Sequence, residues 1–347
     1  MTVKENPFTL TFGKEPYTYI TRYEDLDTII ETFRADRPVT QTMLIEGIRG
    51  SGKTVLMTMA ANRLRNDNSW VVVNLNPALD LLSGLAARLS DACRRTKDIL
   101  SRGFTIAAAG FEVGVGGDDK AQDSISRIEE CLRLLHKQKK RVLITIDEVL
   151  PGSNMRIFAS QFQIFIREEH PLFLIMTGLY DNIYAIQNDP ALTFLLRSPK
   201  IRTEPLSILQ ITRQYRDIFD ISEEKAKRMA AITRGYAFAF QALGFVYWNN
   251  KDKPDTLILE RLDELLDDFV YRKIWSSLTG REKEIVLAIE KDHIKSGEIC
   301  QKTDMKSASF AKYRNSLFQK GILAPEDHGY NSLALPRFYE IVRMYTI

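Results

Sequence analysis

The residues GIRGSGKT at 47–54 combine three glycines, a lysine and a hydroxyl at a spacing that suits a polyphosphate: Gly, four residues, Gly, Lys, then Ser or Thr. Gly47, Gly50 and Gly52 tolerate positive φ and let backbone N–H groups come close to phosphate oxygens. Lys53 is expected to reach the β- and γ-phosphates, and Thr54 to offer its hydroxyl to Mg²⁺. The expected binding stretch is therefore Gly47, Ile48, Arg49, Gly50, Ser51, Gly52, Lys53, Thr54 and Val55. Four fixed positions recur by accident, so the flanks decide. TMLIE (42–46) is a short apolar run of strand type and VLMTMAANRL (55–64) has helical apolar spacing. Strand, glycine turn, helix is the setting such a loop requires.

A second constellation is ITIDE at 144–148, where a buried strand ends in two adjacent carboxylates. Burying such a pair is costly unless it meets a cation or does chemistry. Beside a phosphate loop, Asp147 is the expected Mg²⁺ partner and Glu148 the expected base that polarises a water for attack on the γ-phosphate. LFLIMTG (172–178) ends a further apolar strand in the hydroxyl of Thr177. That hydroxyl either senses the γ-phosphate and the lytic water or is satisfied by neighbouring backbone.

Positioning these groups calls for a particular scaffold. Strand-like runs TMLIE, WVVVNL (70–75), RVLITID (141–147), LFLIMTG and KIRTE (200–204) alternate with helical ones, which predicts a parallel sheet covered on both faces. FTIAAAGFEVGVGGDD (104–119) breaks the alternation and reads as an inserted hairpin. From Leu206 to about Leu278 the periodicity is helical throughout, with a polar break NNKDKPD at 249–255. The remainder opens on the capping box TGRE (279–282). Two short helices follow, SGEICQKT (296–303) and SASFAKYRNSLFQKG (307–321), and then a hairpin-like segment at 322–335: the make-up of a winged helix. The expected domains are 1–205, 206–275 and 276–347.

A hydrophobic content of 44% with 27% charged residues over 347 residues belongs to a globular chain of two or three domains. A net charge of +3 is too small to argue for nucleic acid by itself. Cys93, Cys131 and Cys300 lack metal-ligand spacing and suit a reducing compartment. No signal-peptide layout or membrane-length apolar run is visible, so the expected location is the cytoplasm, without a membrane partner.

Together these motifs resemble the AAA+ superfamily of P-loop ATPases, in particular its origin-initiator-like and STAND-like branch. The resemblance runs over almost the whole chain. It implies an α/β parallel-sheet core, a helical lid and a C-terminal winged helix, with ATP or ADP and Mg²⁺ as cofactors. NPFTLTFG (6–13) and TRYEDLDTII (21–30) resemble the segment lying over the adenine, with Arg22 in a Gly-Arg-Glu-like box. GYAFAFQALG (235–244) resembles the lid helix, with Gly235 at its start. Arg197, before KIRTE, stands where the resemblance implies an arginine finger acting on a neighbouring copy, hence a homo-oligomer. Arg202 is a substitute, and a surface salt bridge is the alternative. Thr21 replaces the usual glycine of the box, Ala237 replaces a lid proline, and the lid lacks a second-sensor arginine.

On 307–321, Phe310, Tyr313 and Leu317 fall on one helical face, turning Ala308, Lys312, Asn315 and Gln319 outward. With Lys306 these are the expected duplex DNA contacts, a protein partner being the alternative. HKQKKR (136–141) reads as a solvated helix end. The leading expectation is a Mg²⁺-dependent ATPase whose nucleotide state positions a lid and a DNA-binding winged helix. Its rivals are a slowly turning STAND-like switch, which uses the winged helix for autoinhibition or protein contact, and a small-molecule phosphotransferase.

Overall fold

The structure, a computed structural model, describes residues 5–11, 16–100, 117–325 and 329–346. Its chain divides into two compact units, one of Tyr23–Glu46 and Leu56–Ile201, the other of Met1–Arg22, Gly47–Val55 and Arg202–Ile347. No helix among the described residues is long and apolar enough to cross a membrane.

The first of these units is built on five strands: β1 Thr42–Glu46, β2 Trp70–Leu75, β3 Arg141–Ile146, β4 Leu172–Gly178 and β5 Lys200–Arg202, in spatial order β2-β3-β4-β1-β5. The pairings β1·β4, β2·β3 and β3·β4 are parallel. Alternation along the strands sorts the core into two layers. Val142, Ile144, Ile146, Leu174 and Met176 join one cluster, whereas Met43, Ile45, Leu143, Phe173 and Ile175 join the other. One layer is closed by helices α3 Leu81–Leu100, α4 Gly117–Lys137 and α5 Ser153–Arg167, the other by α1 Tyr23–Arg34 and the part of α2 (Lys53–Arg65) from Leu56 onward. The short α6, Tyr180–Gln187, follows β4.

Three local expectations differ. β3 stops at Ile146, which leaves Asp147 beyond the ladder, and β5 is three residues long, ending before Thr203 and Glu204. Of the expected hairpin at 104–119, residues 104–116 lie outside the described residues. Gly117–Asp119 open α4, because the helical period set by Ile125, Ile128, Leu132 and Leu135 extends back over them.

The other unit is largely helical: α7 Ile208–Phe219, α8 Glu223–Thr233, α9 Ala237–Asn249, α10 Asp255–Leu266, a π-helical turn Asp267–Tyr271 and α11 Arg272–Ser277. Helix α9 is buried on nearly every side, from Phe238 to Gly244 and at Val246 and Tyr247, as expected of a helix apolar all round. The chain near its start completes that burial. The Phe8 ring stacks on Phe219 and lies against Tyr215 and Phe240, and a Cβ added at Gly244 would sit 2.4 Å from it. Asn6 donates to Phe245 O at 3.2 Å, and Thr9 N–H to Gln241 Oε1 at 3.1 Å.

Helix α12, Gly280–Ala288, begins with the expected capping box, in which Thr279 and Glu282 exchange hydrogen bonds. There follow β6 Ile294–Lys295, α13 Ser296–Thr303, α14 Ser307–Gln319, β7 Tyr330–Asn331 and α15 Phe338–Val342. β6 pairs antiparallel with β7, and a bridge joins Leu323 to Leu333. Three helices with a small antiparallel sheet thus precede α15, and β6 and α15 are the elements the sequence pattern did not signal.

Candidate functional site

The phosphate loop opens α2, and two of its glycines have the backbone that no side chain adopts readily: φ is 76° at Gly50 and 96° at Gly52. Gly47 is constrained differently, because an added Cβ would lie 2.0 Å from Thr203 Oγ1. Lys53 is buried at 7% exposure and donates to Ile48 O at 2.9 Å. Ser51 is also buried and shares a 2.6 Å hydrogen bond with Thr203.

Each remaining carbonyl of the loop's crown also accepts a hydrogen bond from the same unit. Tyr236 OH donates to Arg49 O at 2.5 Å, Phe238 N–H to Gly50 O at 3.0 Å, and Arg22 Nη2 to Ser51 O at 3.1 Å. Arg22 therefore lies against the loop. Gly235, at φ 75°, has no room for a Cβ, which would come 2.5 Å from Leu206 O. A cleft of about 110 Å³ opens beside these groups, lined by Arg22, Ile48, Ser51, Thr203, Gly235 and Tyr236 among others. Thr203 and Tyr236 carried no motif signal, since their partners are a hydroxyl and a main-chain carbonyl rather than a recognisable pair.

In the sheet unit, the strand register brings the ends of three strands together: Glu46 is opposite Gly178, and Ile146 opposite Met176. Asp147 is half-buried and Glu148 exposed just beyond β3. The fully buried Thr177 hydroxyl donates to Asp147 and accepts from the Glu148 N–H at 3.1 Å. One of these partners is backbone, as in the second expectation for Thr177, and the other is the Asp147 carboxylate. Glu148 has φ 52°, the left-handed region, and Val149 N–H donates to Thr177 O at 2.8 Å. Arg197 ends a 3₁₀ helix, Pro190–Arg197, and is exposed.

The last candidates lie on α14. Lys306, Ala308, Lys312 and Asn315 are exposed, while Phe310 and Leu317 are buried and Tyr313 packs beside them. Gln319 departs from the expected outward face: it is half-buried, within 3.5 Å of Arg202 Nη1. The cause is Arg202, whose Nη2 donates to Phe318 O at 2.6 Å and Gln319 O at 2.9 Å, a cation capping the carbonyls of a helix C-terminus. Its guanidinium also sits 5.3 Å over the Phe318 ring. Arg202 is thus engaged within its own unit rather than projecting as a finger. Arg314 donates to Asn331 Oδ1 at 2.6 Å.

A five-stranded sheet, a loop of the phosphate-binding pattern and a helical C-terminal region make up a fold that this chain shares with solved structures of ATPases and origin proteins. Solved structures similar to it include the Walker-type ATPase of Pyrococcus abyssi, at TM-score 0.65 and 14% identity over 93% of this chain and 95% of that one. The ORC2 protein of Aeropyrum pernix, described as ADPNP-ADP complexes, matches at TM-score 0.58 and 14% identity over 96% of each chain. Cdc6p from Pyrobaculum aerophilum matches at 0.50 and 16%, over 99% of this chain and 97% of that one. A family described as a domain of unknown function (DUF8462) matches residues 268–342. No curated protein sequence matches the chain.

Proposed function

We propose that this chain binds and hydrolyses ATP with Mg²⁺ and couples its nucleotide state to the lid helices and to a winged helix, 276–347, that engages duplex DNA. The observation that carries the reading is the loop itself. Gly50 and Gly52 hold positive φ at the start of α2, which gives backbone N–H groups and a helix N-terminus to an anion. The similar Aeropyrum pernix structure, with ADPNP and ADP, supports a nucleotide as that anion.

In this reading Lys53 gives up its bond to Ile48 O and turns to the phosphates. Thr54 and Asp147 are the residues that would hold Mg²⁺, which supplies neutralisation of phosphate charge when bound. Glu148 orients and deprotonates water, and Thr177 fixes the backbone that carries Glu148. Lys306, Lys312 and Asn315 are the DNA contacts.

A slow switch is the second reading. The end of α14, tied down by Arg202, reaches the loop's own neighbourhood: a Cβ at Gly321 would lie 3.5 Å from Ile48 Cβ. Such a contact suits a winged helix that restrains nucleotide exchange.

Equilibrium binding of MgATP to the wild type and to Lys53→Ala, with turnover measured with and without duplex DNA, tests both. Tight binding lost in Lys53→Ala and turnover stimulated by DNA support the first reading. Retained ADP with turnover indifferent to DNA supports the switch. Equal ATP binding by both proteins overturns the site.

A further inference from the structure

A trans peptide is planar, so the C=O of one residue and the N–H of the next point in opposite directions. Pinning a carbonyl therefore aims the following N–H. Three consecutive carbonyls of the loop are pinned. Arg49 O accepts from Tyr236 OH, Gly50 O from Phe238 N–H, and Ser51 O from Arg22. The N–H groups of Gly50, Ser51 and Gly52 are consequently turned away from those donors. Ser51 N–H closes a turn onto Ile48 O at 3.2 Å. Two of the three donors, Tyr236 and Phe238, belong to the start of helix α9 in the lid.

Tyr236 is built for this contact and little else. It precedes α9 at φ −70°, makes no side-chain cap and is 6% exposed. Burial pushes its phenol far above the ordinary value, so the group stays an O–H donor at every pH the protein meets. A Cβ on residue 50 would lie 2.3 Å from that oxygen, so the loop has a glycine where the phenol arrives. The ring is held from behind by Tyr271, 6.3 Å away and near-parallel, whose own hydroxyl donates to Pro336 O at 2.6 Å. Tyr236 and Tyr271 are thus two buried tyrosines, stacked together, each donating to a main-chain carbonyl. Only one of those carbonyls is in the loop.

We infer that Tyr236 is a positioning residue of the phosphate site: its hydroxyl orients the Arg49–Gly50 peptide so that the Gly50 N–H is arranged for a polyphosphate before one arrives. Resting on the nucleotide-binding reading above, the inference adds that the lid acts on the phosphates through the loop's backbone rather than through a side chain of its own. It also accounts for how a lid without a second-sensor arginine contributes to anion binding.

The test compares Tyr236→Phe with Tyr271→Phe, using calorimetric titration of MgATP and of inorganic tripolyphosphate, a probe with no base or sugar. Each variant removes one hydroxyl and keeps its ring. Tyr236→Phe is expected to weaken ATP and tripolyphosphate by the same factor, about tenfold, the worth of one preorganising hydrogen bond. Tyr271→Phe is expected to lower the melting temperature comparably and leave tripolyphosphate affinity unchanged. In Tyr236→Phe, carbonyl-labelled NMR should also move the Arg49 ¹³C resonance. Unchanged tripolyphosphate affinity in Tyr236→Phe, or an equal loss in both variants, overturns the inference and leaves the nucleotide site standing. A wild type that binds neither ligand overturns both.

Discussion

The backbone N–H of Glu148 donates to the hydroxyl of Thr177, 3.1 Å away on the neighbouring strand's end. Glu148 sits in the left-handed region at φ 52°, a conformation that costs energy for a residue with a side chain and persists when neighbours hold it. Thr177→Val keeps the shape and removes the hydroxyl. Turnover is expected to fall about tenfold or more, while ATP affinity stays within about twofold, because the loss falls on the base and not on the phosphates. Single-turnover hydrolysis beside equilibrium ATP binding checks this. A variant that turns over normally shows that Glu148 does not depend on Thr177.

Arg197, exposed at the end of its 3₁₀ helix, has the freedom a finger needs. If it acts on a second copy's nucleotide, turnover rises with protein concentration, and Arg197→Ala lowers the rate with little loss of affinity. A mixture of Arg197→Ala with Glu148→Gln should recover part of the activity that each lacks alone. A mixture that stays inactive, with a wild-type rate independent of concentration, assigns Arg197 to the surface.

Lys312 is exposed on α14, on the face opposite the buried Phe310 and Leu317. Lys312→Ala is expected to weaken duplex binding and reduce the salt slope by about one counterion. Gln319→Ala, at a residue half-buried beside Arg202, should leave that slope unchanged. Fluorescence anisotropy across a salt series distinguishes them.

Glu282 is 1% exposed and accepts from Thr279 N–H at 2.8 Å, Ser316 Oγ at 2.7 Å and Lys320 Nζ at 2.8 Å. Burial alone raises its carboxyl, but the bonds from Lys320, Thr279 and Ser316 outweigh that and hold it below the usual glutamate range. A depressed folded value means that the unfolded chain binds the proton more readily. The stabilisation is therefore complete above the ordinary value of about 4.3 and is lost as pH falls through the lower folded one. Glu282→Gln should cost about 3 kcal/mol near neutrality, because the half-buried Lys320 loses the charge of Glu282. Its melting temperature should then fall less steeply than the wild type's between about pH 5 and pH 3. Parallel melting curves in acid would show that Glu282 does not govern this sensitivity.

The loop at 47–54 was legible because glycine, lysine and threonine each carry a distinct physical role at fixed offsets. The sheet was legible because buried strands are continuous apolar runs, such as TMLIE and LFLIMTG. Residues that act through main-chain carbonyls were not. Tyr236 reads as one more aromatic of an apolar lid, and nothing in the sequence says that its hydroxyl meets Arg49 O. Arg202 was weighed as a finger because an arginine in an edge strand has no local signature of its destination, the carbonyls of Phe318 and Gln319. Gln319 followed the helical period correctly as far as the last turn. There the Arg202 contact, absent from any periodicity, turned it inward.

The seating of Phe8 against α9 also sets an order of events during folding. Asn6 and the carbonyl it meets at Phe245 are 239 positions apart, so the apolar notch at Gly244 is synthesised long after the ring that fills it. Until then Phe8 lacks its native partner on α9, and the loop-closure entropy of so distant a contact must be met before it gives any return. The sheet unit, with Tyr23–Glu46 and Leu56–Ile201, has its whole chain available by then. The helical unit is therefore the last to become cooperative during synthesis, and its nascent form exposes the aromatic cluster of Tyr215, Phe219 and Phe240 to chaperones or to aggregation.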